Sequence, residues 1–474
     1  MKEAGGKAGS SGPRWNHGGK SPPPSRPLPV RRMKRIWHKS RLQRLVALAS
    51  IGLLTGCQAA RTADADASEA GGFDGSEGSG GVNQAIHLEK PYVVMVSLDG
   101  FRHDYLDLFP TPNLRRLADR GVRARGLIPV FPVVTFPNHY SIATGMYPDA
   151  HGLVSNSFYD PARGESYSLS DRTAVEDGSW YGGEPIWVTA ESQGMVAASF
   201  YWVGSEAPVQ GIQPTHWRRF DAGVPYETRV DQVLEWLSEP EEHRPHMVTL
   251  YFGGVDAVGH NFPPESPELA EAVVQVDRMI GRLMEGIEAL PFADRVYLIV
   301  LSDHGMAPFF AEQTYHLPDL VEIDPATVIE GASSHLVLYT PGGDESDDDL
   351  RDLLAEAMPR TTVYRRGRMP ERLHYERAGP RLGDIVIMPD LGWSVLRWSA
   401  AERPARDGYT HGWDPAHEVM HGVFVAAGPR FGPGQRIDSF ESIHIYPLLA
   451  ELLGLVPNPE ADGRLDVLAP ILSY

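Results

Sequence analysis

Three apolar runs stand out along the chain, and each leads into an acidic residue. Residues 92–98 (YVVMVSL) run directly into Asp99, and residues 246–252 (HMVTLYF) pass through Gly253 and Gly254 to Asp256. Residues 296–301 (VYLIVL) pass through Ser302 to Asp303 and His304. These runs are rich in β-branched residues and lack polar alternation, the pattern of strands buried on both faces. Helical patterns lie between them over residues 113–120, 226–237 and 267–290, the last with apolar positions near a 3.6-residue period. Strands alternating with helices predict a mainly parallel, doubly wound α/β sheet. The rhythm changes at about residues 334–403. There, residues 336–339, 361–366 and 383–388 read as strands and 346–357 as an acidic helix, which together predict a small α+β cap inserted in the main domain.

The N-terminal region follows neither pattern. Residues 33–44 are basic, and residues 45–54 (LVALASIGLL) are apolar but too short to span a bilayer. The run ends in Leu54-Thr55-Gly56-Cys57, which resembles the lipobox of bacterial lipoproteins, where the cysteine is acylated and becomes the mature N-terminus. The expectation is a signal peptide over 1–57 with lipidation at Cys57. The protein is then an extracytoplasmic bacterial lipoprotein at the outer membrane or the periplasmic face, with a lipid anchor as its membrane partner. A core helix ending in a chance cysteine is the bland alternative. Residues 1–32 are Gly/Pro/Ser/Arg-rich, and Met33 would begin a signal of ordinary length, so 1–32 are expected to be upstream sequence read as protein. Residues 58–86, rich in Ala, Asp, Glu, Gly and Ser, read as a flexible tether, and the catalytic domain is expected over 87–474.

Composition narrows the chemistry. The 474-residue chain has a formal net charge of −19, and its basic residues crowd before Cys57, where Glu3 is the sole acid. The remainder is more acidic still, which argues against a stable nucleic-acid partner. With Cys57 the single cysteine, there is no internal disulfide and no cysteine-ligated zinc site. A metal must then be held by imidazole and carboxylate. In open parallel sheets ligands bind beyond the carboxyl ends of the strands, where all three acids fall. Asp99, Asp256, His260, Asp303, His304 and His421 are therefore the candidate ligands. Asp256 and His260 lie one helical turn apart, and His421 directly precedes another apolar run, 423–425. Such oxygen and nitrogen ligands suit zinc, with manganese and iron as alternatives. Thr135 lies in a proline-framed turn before a helix expected over 138–144, where a hydroxyl is ordinarily a cap.

Residues 91–470 resemble the nucleotide pyrophosphatase/phosphodiesterase family of the alkaline phosphatase superfamily. The resemblance is carried by VSLDGFR at 96–102, TFPNHY at 135–140, TGMYP at 144–148, GEPIW at 183–187, Asp256 with His260, LSDHGM at 301–306 and MHG at 420–422. It implies an alkaline-phosphatase-like three-layer α/β/α fold and two Zn2+ ions. By the same resemblance Asp256, His260 and His421 hold one ion, and Asp99, Asp303 and His304 hold the other with Thr135, the nucleophile. Asn156 matches the asparagine that donates to a phosphoryl oxygen, and Phe136 the ring that stacks on a nucleobase. Phe220 stands where many members have tyrosine, and Gly254-Val255 where many have an acid and a proline. His139, His151, His411 and His417 lie in or near matching motifs and read as groups that support the ligands or pack around them. The implied activity is hydrolysis of a phosphodiester or phosphoanhydride bond in nucleotide-like substrates through a phosphothreonine intermediate. A phosphomonoesterase, or a phospholipid or phosphonate hydrolase, of the same superfamily stays open as an alternative. A non-catalytic metal-binding surface lipoprotein is the rival of another class.

Overall fold

The computed structural model describes residues 81–473. Its frame is an eight-stranded sheet in the order Gln435–Ile437, Val122–Ala124, Phe424–Ala427, Val296–Leu301, Tyr92–Leu98, Met247–Phe252, Ala197–Phe200, His216–Arg218. The strand Tyr92–Leu98 lies between Met247–Phe252 and Val296–Leu301 and runs parallel to both, with Leu98 opposite Phe252 and Ser97 opposite Leu301. Phe424–Ala427 is antiparallel to its neighbours on either side. The sheet is mainly parallel, as the apolar runs predict.

The absence of polar alternation has a direct structural cause. All seven residues of Tyr92–Leu98 are buried. Val93 and Met95 pack toward Tyr140, Ile142 and Leu449, while Tyr92, Val94, Val96 and Leu98 pack toward Val233, Val276 and Ile280. The helices Thr135–Thr144 and Ile445–Leu453 thus cover one face, and Tyr226–Leu237 and Pro267–Glu288 the other. The result is a three-layer α/β/α architecture, in which each fully buried aliphatic side chain contributes about 1.5–3 kcal/mol. Among the described residues no helix is long and apolar enough to cross a membrane.

Three boundaries differ from expectation. The helix predicted from 138 begins at Thr135, because Pro137 falls in its first turn, where a missing N–H breaks no helical bond. The segment expected to start at 334 already has a strand at Val328–Ala332, paired antiparallel with His335–Tyr339. An interior glycine and a glutamate hide that strand in the sequence. It belongs to a separate four-stranded sheet with Ile385–Pro389 and Thr361–Arg365, which has its own small core around Leu338, Leu354 and Ile387. Finally, residues 81–86, expected as the last part of a tether, include one that is anchored to the main domain. Asn83 is buried, donates to the Glu241 and Arg244 carbonyls and accepts from the Val196 N–H. The expected features at 1–57, Cys57 included, lie outside the described residues.

Candidate active site

Three acids leave three adjacent parallel strands at the same edge. Asp99 follows Tyr92–Leu98, Asp303 follows Val296–Leu301, and Asp256 lies in the short helix Gly254–Gly259 that follows Met247–Phe252. Gly100, at φ +67°, turns the chain here, and a Cβ at that position would sit 2.8 Å from the Asp256 Cβ. Only glycine lets the two acids approach so closely.

The acids form two groups with histidines. Asp99, Asp303 and His304 make one, and Asp256, His260 and His411 the other, with ligand atoms in each all within 4.8 Å of one another. Each histidine is oriented in the same way. The Nδ1–H of His304 donates to the Gly305 carbonyl at 2.9 Å, that of His260 to the Tyr409 carbonyl at 2.9 Å, and that of His411 to the Val133 carbonyl at 2.8 Å. A carbonyl only accepts, so in the neutral imidazole each Nε2 carries the lone pair. Those lone pairs face carboxylate oxygens: His304 Nε2 is 3.1 Å from Asp303 Oδ2 and 3.5 Å from Asp99 Oδ1. His260 Nε2 is 3.4 Å, and His411 Nε2 3.7 Å, from Asp256 Oδ1. Asp99 Oδ1, Asp256 Oδ1 and Asp303 Oδ2 are buried without a hydrogen-bond partner among the described residues. Acceptors converging on acceptors are costly unless a cation lies among them. The donor set therefore fits divalent metal, and its all-nitrogen-and-oxygen chemistry suits zinc.

The electrostatics carry the same strain. Burial, with Asp303 and Asp256 nearby, pushes the Asp99 carboxyl well above its ordinary range. Burial also raises Asp256, against the pull of His260 and His304. At Asp303 burial acts upward too, but His304 and His139 outweigh it and hold that carboxyl below the usual range. His411 is driven well below the ordinary imidazole value by burial and by His304 and His260. The Tyr251 hydroxyl donates to Asp99 Oδ2 at 2.6 Å, which fixes that carboxylate's rotation.

Thr135 opens the helix Thr135–Thr144 and points its Oγ1 to within 3.4 Å of His304 Nε2. His139, one turn on, donates from Nδ1 to the Thr135 carbonyl at 2.9 Å and receives the Ser97 hydroxyl at Nε2 at 2.8 Å. The buried serine of the central strand thus anchors the start of this helix. Asn156 accepts from the Phe136 N–H through Oδ1 at 2.8 Å, which leaves its Nδ2 donors for a ligand. Asp99, Thr135, Phe136, Asn156, Phe220 and His411 all line one cavity of about 330 Å3. Phe220 is exposed and meets Tyr201 edge-on at 5.2 Å.

One expected ligand is not in this arrangement. His421 joins neither group, and His411, read from the sequence as a supporting or packing residue, takes its place. Its backbone does lie at the sheet edge, since Val419 and Met420 carbonyls accept from the Met306 and Gly305 N–H groups. The ring turns elsewhere, with Nε2 donating to the Pro415 carbonyl at 3.0 Å and the His103 ring 6.1 Å away. His139 acts as the supporting group expected of it, whereas Tyr251 is not singled out by the sequence. The one available signal for Tyr251 was its place two residues before Gly253 on a strand that ends at the site.

The chain has clear relatives among known proteins. Residues 93–414 match the family model described as type I phosphodiesterase/nucleotide pyrophosphatase. The chain is 35% identical over 397 residues to an uncharacterized pyrophosphatase/phosphodiesterase of Schizosaccharomyces pombe, covering 80% of each chain. It is 34% identical to venom phosphodiesterase CdcPDE of Crotalus durissus collilineatus, covering 81% of this chain and 47% of that one. It is 35% identical to human ectonucleotide pyrophosphatase/phosphodiesterase family member 1, covering 78% and 41%. The chain thus spans less than half the length of the venom and human relatives. Among solved structures it resembles murine ectonucleotide pyrophosphatase/phosphodiesterase 5, an inactive threonine-to-alanine variant in complex with AMP. The TM-score is 0.75 at 30% identity, covering 81% of this chain and 100% of that one. These relatives overturn the expected location. They are a yeast protein, a venom enzyme and mammalian ectonucleotide enzymes, none of them a bacterial lipoprotein, and they lend no support to a lipid anchor at Cys57. By the family match and these identities, the chain belongs to the type I phosphodiesterase/nucleotide pyrophosphatase family.

Proposed function

We propose that this protein is a two-metal phosphodiesterase that hydrolyses nucleotide-like phosphodiesters or phosphoanhydrides with Thr135 as nucleophile. The observation that carries the reading is the pair of ligand groups beside one threonine hydroxyl. Asp256, His260 and His411 would hold one divalent ion, and Asp99, Asp303 and His304 the other. When bound, such ions lower the pKa of nearby hydroxyls and offset the charge of phosphate oxygens. The chain supplies the rest. The Thr135 hydroxyl loses its proton to solvent, and its Oγ attacks phosphorus in line, so that an O–P bond forms as the bond to the leaving oxygen breaks. Asn156 Nδ2 donates to a phosphoryl oxygen, and the helix Thr135–Thr144 presents its positive end to the phosphate. Water then cleaves the threonine ester and restores the hydroxyl. Phe136 and Phe220 offer ring faces to a planar leaving or retained group. The neighbour's AMP complex supports a nucleotide there.

The cavity favours diesters over monoesters. The sole Lys or Arg among its lining residues is Arg172, which is ion-paired with both Glu206 and Glu176. No free cationic side chain is left there for the second charge of a monoester. Dialysis against chelator is expected to abolish hydrolysis of p-nitrophenyl thymidine monophosphate, and zinc to restore it. Full activity without detectable metal, or faster hydrolysis of p-nitrophenyl phosphate than of the diester, would count against the reading.

A further inference from the structure

A second cavity, of about 560 Å3, lies away from the metal ligands. It opens between the four-stranded sheet and the loop over residues 397–406. Three arginines line it: Arg397, Arg403 and Arg406. Arg397 is engaged with the Ile329 carbonyl and, at 3.5 Å, with Glu330. Arg403 and Arg406 have no carboxylate within ion-pairing distance among the described residues. Both are exposed, and Arg403 lies over the Trp398 ring at 4.4 Å, with Arg397 over the same ring at 4.7 Å. The acid lining the cavity is Glu402, whose carboxylate is taken up by the Ser399 N–H and hydroxyl. Phe309 adds a second ring.

In a chain with a formal charge of −19, a concavity lined by three arginines and one glutamate runs against the overall charge. Arg403 and Arg406 bring guanidinium groups without a carboxylate partner to this cavity, and an anion that accepts from both would supply the missing counter-charge. Guanidinium forks match phosphate oxygens in pairs, and a volume of this size takes a molecule with a ring as well as a phosphate. We infer that this cavity is a second binding site for a small phosphate-bearing organic anion, separate from the catalytic centre. The same stretch of chain runs on through Gly408–Thr410, which pairs with Ala307–Phe309 and whose Tyr409 carbonyl holds His260, to His411 of one metal group. The inference does not depend on the proposed reaction.

The test is an equilibrium titration of the metal-loaded full chain carrying Thr135→Ala, with AMP as the probe. Two binding components are expected. Adding Arg403→Ala and Arg406→Ala should weaken one of them by about tenfold or more, since both substitutions remove charge-assisted hydrogen bonds to the phosphate. Asn156→Ala should leave that same component unchanged. If the two arginine substitutions weaken no component by about tenfold, the second site is overturned, whatever Asn156→Ala does. Loss of the Asn156-dependent component alone would fall on the catalytic reading and not on this one. Both arginines are exposed, so their removal leaves the core intact.

Discussion

In His411 it is Nδ1–H that meets a backbone carbonyl, that of Val133 at 2.8 Å; in His421 it is Nε2, facing Pro415 at 3.0 Å. The first arrangement sends an unprotonated Nε2 toward Asp256, and the second occupies the nitrogen that would have to bind. His411→Ala is therefore expected to lower bound metal by one equivalent and activity by at least about a hundredfold, whereas His421→Ala keeps both metals. Metal analysis beside a diester assay checks this, and loss of metal in His421→Ala with retention in His411→Ala would reverse the assignment. The two residues could not be told apart in the sequence. Both are followed by glycine, and both lie near the strand ends. Tautomer and ring direction depend on which carbonyl lies opposite, and the carbonyls of Val133 and Pro415 are supplied by loops. The acids were legible because a buried strand leaves its last residue little freedom of direction.

At the scale of elements, the helix Thr135–Thr144 sets the nucleophile. Its start is held by the Ser97–His139–Thr135 chain of hydrogen bonds, and its end by Gly145 at φ +68°. The Gly145 N–H donates to the Ser141 carbonyl at 2.8 Å, while its own carbonyl accepts from Gly463. A Cβ at Gly145 would lie 2.9 Å from both Cβ and Cδ1 of Tyr446, a residue of the helix Ile445–Leu453 packed alongside. Gly145→Ala thus combines an unfavourable left-handed conformation with a clash, and is expected to destabilise the protein by about 1–3 kcal/mol. Urea unfolding measures it, and an unchanged midpoint would show that the two helices have slack. The end of this helix at Gly145 was readable beforehand. The three extra residues at the helix start were not, because prolines punctuate a helix's first turn and a loop alike.

Across the whole molecule, the sheet and the two cores on its faces follow from apolar runs that do not alternate, and that is why the fold class could be read from the chain. The four-stranded sheet around residues 328–389 was harder, because its strands are short and one carries charge and glycine. Packing there also encloses His335, fully buried beneath Phe131 with neither ring nitrogen partnered among the described residues. Burial lowers its pKa from 6.5 to about 4. The unfolded chain takes up this proton near pH 6.5, while the folded chain excludes it down to about pH 4. Between those values the unfolded state binds more protons, so stability falls as pH falls. His246, lowered to about 4 mainly by burial, acts in the same direction. His335→Leu is expected to keep the pH 7 melting temperature and to reduce the drop on acidification toward pH 4. An identical drop in variant and parent would mean that His335 is not the group that titrates.

In the proposed reaction the hydroxyl of Thr135 makes the new bond to phosphorus, beside a metal-binding group it is not needed to assemble. The most direct measurement is the turnover of p-nitrophenyl thymidine monophosphate by Thr135→Ala with its metal content determined on the same sample. Near-normal metal and a rate lower by about 10^4-fold or more are expected. Turnover close to the parent's with metal in place would contradict this reaction.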